Sequence, residues 1–140
     1  MNNGVMIAYL PVDGSWCKQD LPHMTLVYCG TTEQVALAAF NSLAKDAITA
    51  GRVSGALFLD VIGVEEFGRD EKVDVLRLSE PPRLTAAREL VNDWDVSEHP
   101  FSPHATIGPA GSARGELPTH LYFDRIYVAW GGESMTFRLD

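Results

Sequence analysis

The chain has few of the residues that mark secreted, membrane-spanning or disordered proteins. Its only cysteines are Cys17 and Cys29, too few for a disulfide framework, although a bridge between the two stays open. No apolar run approaches the ~20 residues of a membrane-spanning helix. Residues 1–11 lack the basic stretch that precedes the apolar core of a signal peptide. We therefore expect one domain over residues 1–140, located in the cytoplasm.

Positive charge is also scarce. The chain carries 11 lysines and arginines against 19 aspartates and glutamates, a net charge of −8 at pH 7, and only three of the basic residues are lysine. A protein that binds long nucleic acid through its phosphates needs a basic surface. The charge balance therefore predicts no DNA partner, and the lack of a long apolar run predicts no membrane partner. A small anionic substrate held in a local pocket remains compatible with it.

Short apolar segments separated by turn residues predict about seven strands. We place them at residues 5–10, 24–29, 57–64, 73–78, 104–107, 121–130 and 135–139. The last two form a hairpin around Gly131 and Gly132. The segments 11–22, 65–72 and 108–120 have the composition of loops.

Two segments have helical periodicity. The first begins at Thr31 or Thr32, where Gln34 completes a capping box, and it ends at Gly51. Its apolar stripe consists of Val35, Ala39, Phe40, Leu43 and Ala47. The second begins at Pro81 and Pro82. Its stripe consists of Leu84, Ala87, Val91 and Trp94. Two helices among seven strands predict an α+β fold, and the similar outline of its halves suggests two lobes.

Two matched tetrapeptides carry the functional prediction. His23-Met24-Thr25-Leu26 follows Pro22, and His104-Ala105-Thr106-Ile107 follows Pro103, 81 positions later. Because strand side chains alternate, the histidine and threonine of each motif share one face and the apolar pair the other. If the two strands are neighbours, two imidazoles and two hydroxyls converge on one groove.

Such a set suits phosphoryl transfer without a metal. A neutral imidazole takes a proton from the attacking oxygen, and an imidazolium gives one to the leaving oxygen. Histidine fits both roles because its ordinary pKa is ~6.5. The two hydroxyls can donate hydrogen bonds to the non-bridging phosphate oxygens, where the negative charge lies.

Residues 22–30 and 101–107 resemble the two signatures of the 2H phosphoesterase superfamily, the LigT-like or 2′-5′ RNA ligase-like family. The order of elements agrees along nearly the whole chain. The resemblance implies a bilobal fold of two antiparallel sheets with flanking helices, related by pseudo-twofold symmetry about a central groove. It implies hydrolysis of 2′,3′-cyclic phosphates or small cyclic nucleotides, with catalytic roles for His23, Thr25, His104 and Thr106. No metal or other cofactor is implied.

The chain departs from the family before the first motif. Many members carry a helix there, whereas the dozen residues between Leu10 and His23 have the composition of a loop. The shorter segment predicts a more open rim that admits a compact cyclic ligand. Some phage members of the superfamily destroy the cyclic nucleotide signals of bacterial defence, and this acidic chain is compatible with that role. RNA ends remain a further candidate substrate.

Other residues can contact a substrate at the groove. We predict Tyr9, Trp16 and Phe101 as aromatic contacts and Arg114, on the glycine-rich loop after the second motif, as a phosphate contact. Each can equally serve packing or lie in solvent. We expect the protein to act as a monomer.

Alternative chemistries find less support in the sequence. The four histidines do not have the spacing of a zinc site, and no Gly-x-Ser-x-Gly elbow is present. The glycine-rich loop at 108–115 lacks the Gly-Lys-Ser/Thr end of a phosphate-binding P-loop. A catalytically silent nucleotide- or RNA-binding module on the same fold remains the alternative, although two intact His-x-Thr motifs argue against it.

Overall fold

A computed structural model describes residues 3–139 of the chain. The strands are β1 (Gly4–Pro11), β2 (Met24–Thr31), β3 (Leu57–Phe67), β4 (Val73–Leu78), β5 (His104–Pro109), β6 (His120–Trp130) and β7 (Glu133–Arg138). The helices are α1 (Phe40–Ser54) and α2 (Pro82–Leu90), with short 3-10 helices at Leu37–Ala39 and Asn92–Trp94. The predicted α+β class is confirmed. None of the helices within the described range has the length and apolarity needed to cross a membrane.

All seven strands belong to one antiparallel sheet. Its order is β1-β2-β5-β4-β3-β6-β7, and β6 pairs in addition with β1, so that six strands form a closed ring. Strand β6 makes this closure possible because it is eleven residues long. Its start at residues 120–123 pairs with β3, and residues 123–130 pair with β1. The expectation of two separate sheets is therefore wrong, since β6 joins the two halves.

The other junction between the halves is much smaller. Strands β2 and β5 meet through the single pair Met24 and Ala105. Because the strands are antiparallel, a local twofold axis through this pair relates one strand to the other. This local axis relates the two motifs to each other.

Helix α1 differs from its predicted bounds at both ends. The predicted contact of Gln34 exists, but its side-chain oxygen accepts from the Thr31 N–H (3.0 Å) within a turn that follows β2, ahead of the helix. At the other end, Gly51 lies inside the helix, where a Cβ would come within 2.7 Å of Leu139. The helix ends instead at Gly55, whose φ of 62° favours glycine.

The core lies between the sheet and the two helices, which pack against each other. Its largest fully buried side chains include Tyr9, Phe123, Ile7, Met24, Leu43, Leu84 and Ile107. Burial of an aliphatic side chain of this size contributes about 1.5–3 kcal/mol. Met24 and Ala105 both belong to this core, so the other face of β2 and β5 is the one that carries polar side chains.

Candidate active site

The structure brings the two His-x-Thr motifs together on neighbouring strands. Met24 of the first motif lies opposite Ala105 of the second, and both are fully buried. One step further along an antiparallel pair, Thr25 lies across from His104, and His23 lies across from Thr106. All four of these side chains are half-buried. The four side chains therefore share one face of the sheet, as the period-two argument expects, and two of them, Thr25 and His104, line a common cavity.

Each histidine is fixed by the same short hydrogen bond. The Nδ1 atom of His23 lies 2.8 Å from the carbonyl oxygen of Leu21, and that of His104 lies 2.8 Å from the carbonyl oxygen of Ser102. A carbonyl can only accept, so Nδ1 carries the hydrogen in both rings. The Nε2 atoms are then left to take or give a proton, as acid–base chemistry requires.

The surroundings of His104 disfavour its charged form. Its ring meets the edge of Phe67 at a centroid distance of 4.8 Å. Burial lowers the pKa of His104 below its ordinary value, the hydrogen bond to Ser102 offsets part of this, and the nearby charges of Arg77 and His23 lower the pKa further. The structure accordingly favours the neutral form of His104.

A cavity of about 570 Å³ opens beside Thr25 and His104. Three segments form its walls: the middle of β2, the end of β3 and the irregular segment that precedes β5. Its lining side chains include Tyr28, Glu66, Phe67, Arg88, Asp95, Ser97, His99 and Phe101. The volume lies within the ~300–1,000 Å³ of small-molecule sites, and the lining combines the aromatic rings of Tyr28, Phe67 and Phe101 with a few polar groups, as in such sites.

A buried ion pair shapes the inner wall of this cavity. The Arg88 guanidinium reaches Asp95 at 2.8 Å and donates to Asn92 at 2.8 Å. The same guanidinium lies 5.5 Å from the centre of the Phe101 ring, a cation–π distance. Arg88 thus ties α2 to the segment that leads into the second motif, and it holds Phe101 at the cavity.

The structure places only one of the four predicted substrate contacts at the cavity. Phe101 lines the cavity, so its contact with a substrate stays a prediction. Tyr9 does not reach it: the side chain is fully buried, and its hydroxyl donates to Ser54 (2.8 Å). Burial raises the pKa of Tyr9 to about 12. The prediction of Tyr9 as a ligand contact is therefore wrong, because the face it shares with Val5 and Ile7 is the core face.

The other two predicted contacts also lie away from the cavity. Trp16 is 6% exposed, and its indole N–H donates to the Asp13 carbonyl (2.8 Å), so it packs under the loop before the first motif and does not rim the groove. Arg114 folds back onto its own loop, where Nε donates to the carbonyl of Gly111 (3.0 Å). Neither residue lines the cavity that Thr25 and His104 share.

Sequence reasoning missed Tyr28, which lines the cavity and is 41% exposed. Strict alternation places Tyr28 on the core face with Met24. The register of β1 and β2 shifts between Ile7 and Ala8, which leaves Leu26 as an extra residue. Such a bulge reverses the alternation, so Tyr28 returns to the face of Thr25. Neither this bulge nor the wall at residues 95–101 has a signal in the sequence that we can identify.

The cysteines and the possible metal ligands of the described range can be located in the structure. Cys17 and Cys29 are both free, so the bridge left open by the sequence is not formed. Burial raises the pKa of Cys29 to about 12. Between residues 3 and 139, no group of three or more histidine, cysteine, aspartate or glutamate side chains is placed to hold a metal ion.

Comparison with solved structures shows that this chain shares its fold with known phosphoesterases. Escherichia coli LigT in complex with 3′-AMP matches over 100% of this chain and 97% of its own, with a TM-score of 0.60 and 19% identity. Kluyveromyces marxianus Usb1 matches over 99% and 98%, with a TM-score of 0.63 and 11% identity. A third structure, described as a phosphoesterase, matches over 99% and 96%, with a TM-score of 0.58 and 17% identity.

These neighbours belong to the 2H phosphoesterase superfamily, so the resemblance seen in the sequence is confirmed at the level of the fold. No family model and no curated protein matches the chain.

Proposed function

We propose that this protein is a metal-independent phosphodiesterase that hydrolyses 2′,3′-cyclic phosphates or small cyclic nucleotides. The observation that carries the proposal is the pairing of Met24 with Ala105, which brings one histidine and one threonine from each motif to the same face. His23, Thr25, His104 and Thr106 are the proposed catalytic residues. The fold shared with phosphoesterases supports the same reaction class.

The reaction needs two proton transfers and a charged phosphate held between them. One Nε2 accepts a proton from water as the water oxygen attacks phosphorus. The other Nε2 donates a proton to the ribose oxygen as its bond to phosphorus breaks. The hydroxyls of Thr25 and Thr106 donate to the non-bridging oxygens, where charge grows in the transition state. The carbonyls of Leu21 and Ser102 keep both rings in the tautomer that this scheme requires.

The cavity beside the motifs is the proposed nucleoside site. Tyr28 and Phe101 offer aromatic faces on which a base can stack, at about 1–3 kcal/mol per base. Related complexes point the same way: Escherichia coli LigT is solved with 3′-AMP, and Kluyveromyces marxianus Usb1 with uridine monophosphate. We therefore place the phosphate at the histidines and the base in the cavity.

Charge argues for a compact substrate. The cavity lining itself contains Glu66 and Asp95, and the carboxylate of Asp95 is already paired with Arg88. A long RNA brings many phosphates against a protein of net charge −8, whereas a cyclic di- or oligonucleotide brings few. A cyclic nucleotide signal of the kind that phage counter-defence proteins destroy fits this requirement. RNA ends carrying a 2′,3′-cyclic phosphate are the second candidate.

The test is a substrate panel in the presence of EDTA. We expect turnover of a mononucleotide 2′,3′-cyclic phosphate or a cyclic oligonucleotide, measured by phosphorus NMR. His120→Ala removes a histidine outside the site and, as the matched control, should keep the activity. Binding without turnover would favour the silent nucleotide-binding module. Loss of activity on chelation and its return with zinc would contradict the metal-independent mechanism.

The panel also tests the choice of substrate. A cyclic oligonucleotide and a structured RNA ending in a 2′,3′-cyclic phosphate compete at ~0.15 M salt, where surface charge is screened beyond ~8 Å. We expect the cyclic oligonucleotide to be preferred. Preference for the RNA, with affinity that falls steeply as salt rises, would show that the charge argument is wrong.

A further inference from the structure

The sheet face that carries the motifs continues beyond His104 onto β4. Arg77 pairs with His104 in the register of β4 and β5, so their side chains lie next to each other on one face. The Arg77 guanidinium donates to a carboxylate oxygen of Glu65 on β3 at 2.8 Å. Its Nε atom is buried and has no hydrogen-bond partner among the described residues. The arginine is thus held beside the histidine with part of its hydrogen-bonding capacity unused.

The first motif has a different neighbour. Beside Thr25, β1 contributes Ala8 in the register, and the Thr25 hydroxyl reaches the sulfur of Met6 at 3.9 Å. Beside Thr106, β4 likewise contributes the apolar Val75, so the difference between the motifs lies at His104, which has the cation of Arg77 beside it. The twofold relation of the motifs does not extend to the electrostatics of their neighbours.

We propose that Arg77, held by Glu65, is a positioning residue that makes the two histidines unequal, so that His104 is the general base and His23 the general acid. The inference rests on the proposed phosphodiesterase function and assigns the roles within it. A fixed cation disfavours a second positive charge on the adjacent imidazole, because like charges repel in a half-buried site. The lowered pKa of His104, to which burial contributes most, agrees with this assignment.

The other charged groups near His104 do not reverse the argument. His23 on the β2 side is itself a potential cation, and its charge also lowers the pKa of His104. On β3, Glu65 is paired with Arg77, and Glu66 is paired with Lys72 at 3.5 Å. Asp95 is paired with Arg88. Glu66 and Asp95 thus each have a cation of their own. Arg77 is also paired, with Glu65, but the sheet register places it beside the ring, and its charge still lowers the pKa of His104.

The assignment sets the direction of proton flow. Neutral His104 takes a proton from the attacking water through Nε2, and the new bond forms between the water oxygen and phosphorus. Protonated His23 gives its proton to the ribose oxygen as the bond from that oxygen to phosphorus breaks. The proton count balances, because one proton leaves water and one reaches the ribose hydroxyl. His104 then releases its extra proton to water and His23 takes a proton from water, so both rings return to their starting states.

The test is a titration of the histidine ring protons by NMR in the free protein. Arg77→Met removes the cation, so we expect the pKa of His104 to rise. Glu65→Gln removes the compensating carboxylate from an exposed position, so we expect the pKa to fall. Arg77→Lys keeps the charge and should restore the wild-type value. Arg83→Met, which removes an exposed arginine from the start of α2, is the matched control and should leave the pKa unchanged.

The pH profile of kcat/KM provides the second readout. Because the base must be neutral, the acidic limb should move to higher pH in Arg77→Met and to lower pH in Glu65→Gln. An unchanged His104 pKa in both variants would overturn the proposal, even if the enzyme is active. A rise in KM without movement of the limb would also overturn it and would make Arg77 a direct phosphate contact. The titration needs no substrate, so its result stands whether or not the proposed activity is found.

Discussion

The two halves of the candidate site are alike in backbone and different in surroundings. His23 and His104 each bond through Nδ1 to the carbonyl two residues earlier, at the same distance of 2.8 Å. Only His104 shares the large cavity, meets the ring of Phe67 and lies opposite an arginine in the sheet register. In the proposed mechanism, the common geometry provides two equivalent proton carriers, and the different surroundings give them unequal tasks.

The largest effect should come from removing either proton carrier. We expect His23→Ala and His104→Ala each to lower kcat by about 10²–10⁴-fold, because each acid–base partner contributes about that factor. Steady-state hydrolysis of a cyclic phosphate measures the loss, and thermal unfolding shows whether the fold is kept. Full activity in either variant would show that the substituted histidine is not part of the active site.

The threonines should come next. Thr25→Val and Thr106→Val keep the β-branched shape but lose the hydroxyl, and loss of one donor to a developing charge costs about 10²-fold or more in kcat. Thr49→Val, on the exposed side of α1, is the matched control. Equal losses at both threonines would indicate that the phosphate lies on the local twofold axis. A loss confined to Thr25 would move the phosphate toward the cavity.

Aromatic residues of the cavity should affect binding more than turnover. Tyr28→Ala should raise KM by roughly 5–150-fold, the factor that corresponds to the stacking of one base. Tyr122→Ala is a close control, because both tyrosines are 41% exposed and Tyr122 lies outside the cavity lining. An unchanged KM in Tyr28→Ala would place the base elsewhere.

The smallest effect concerns stability against pH. The pKa of His104 is lower in the folded protein than the ordinary value of 6.5, which applies to the unfolded chain. Between the folded and the unfolded pKa, the unfolded chain therefore binds more protons than the folded protein. We expect the free energy of unfolding to increase as the pH rises through this range and then to level off. Denaturant titrations should show a flatter dependence in His104→Gln. A steeper dependence in that variant would contradict the expected direction of the pKa shift.

The sequence was sufficient to predict the strands and helices, because these follow from local periodicity. The motifs at His23 and His104 could be assigned to strands because apolar and polar residues alternate there. Their neighbourhood in the sheet was an expectation until the register of Met24 and Ala105 was known. The strand boundaries also agree closely, although β3 extends to Phe67 and thereby contributes to the cavity wall.

The cavity itself could not be predicted, because long-range packing creates it. Its wall depends on a bulge at Leu26, which turns Tyr28 outward, and on the ion pair of Arg88 with Asp95. Neither leaves a periodic pattern in the sequence. Tyr9 shows the opposite error: its aromatic ring suggests a ligand contact in the sequence, although the residue belongs to the core. The sequence of β1 does not indicate which of its faces is turned toward the core.

The most direct test of the account is a double-mutant comparison in EDTA. If His23 and His104 act together on one phosphate, the double variant His23→Ala/His104→Ala should be no slower than the slower single variant, because residues that act as a unit are not additive. Single-turnover hydrolysis of a 2′,3′-cyclic phosphate measures all four rates. Losses that multiply in the double variant, or single variants as fast as the wild type, would contradict a shared site.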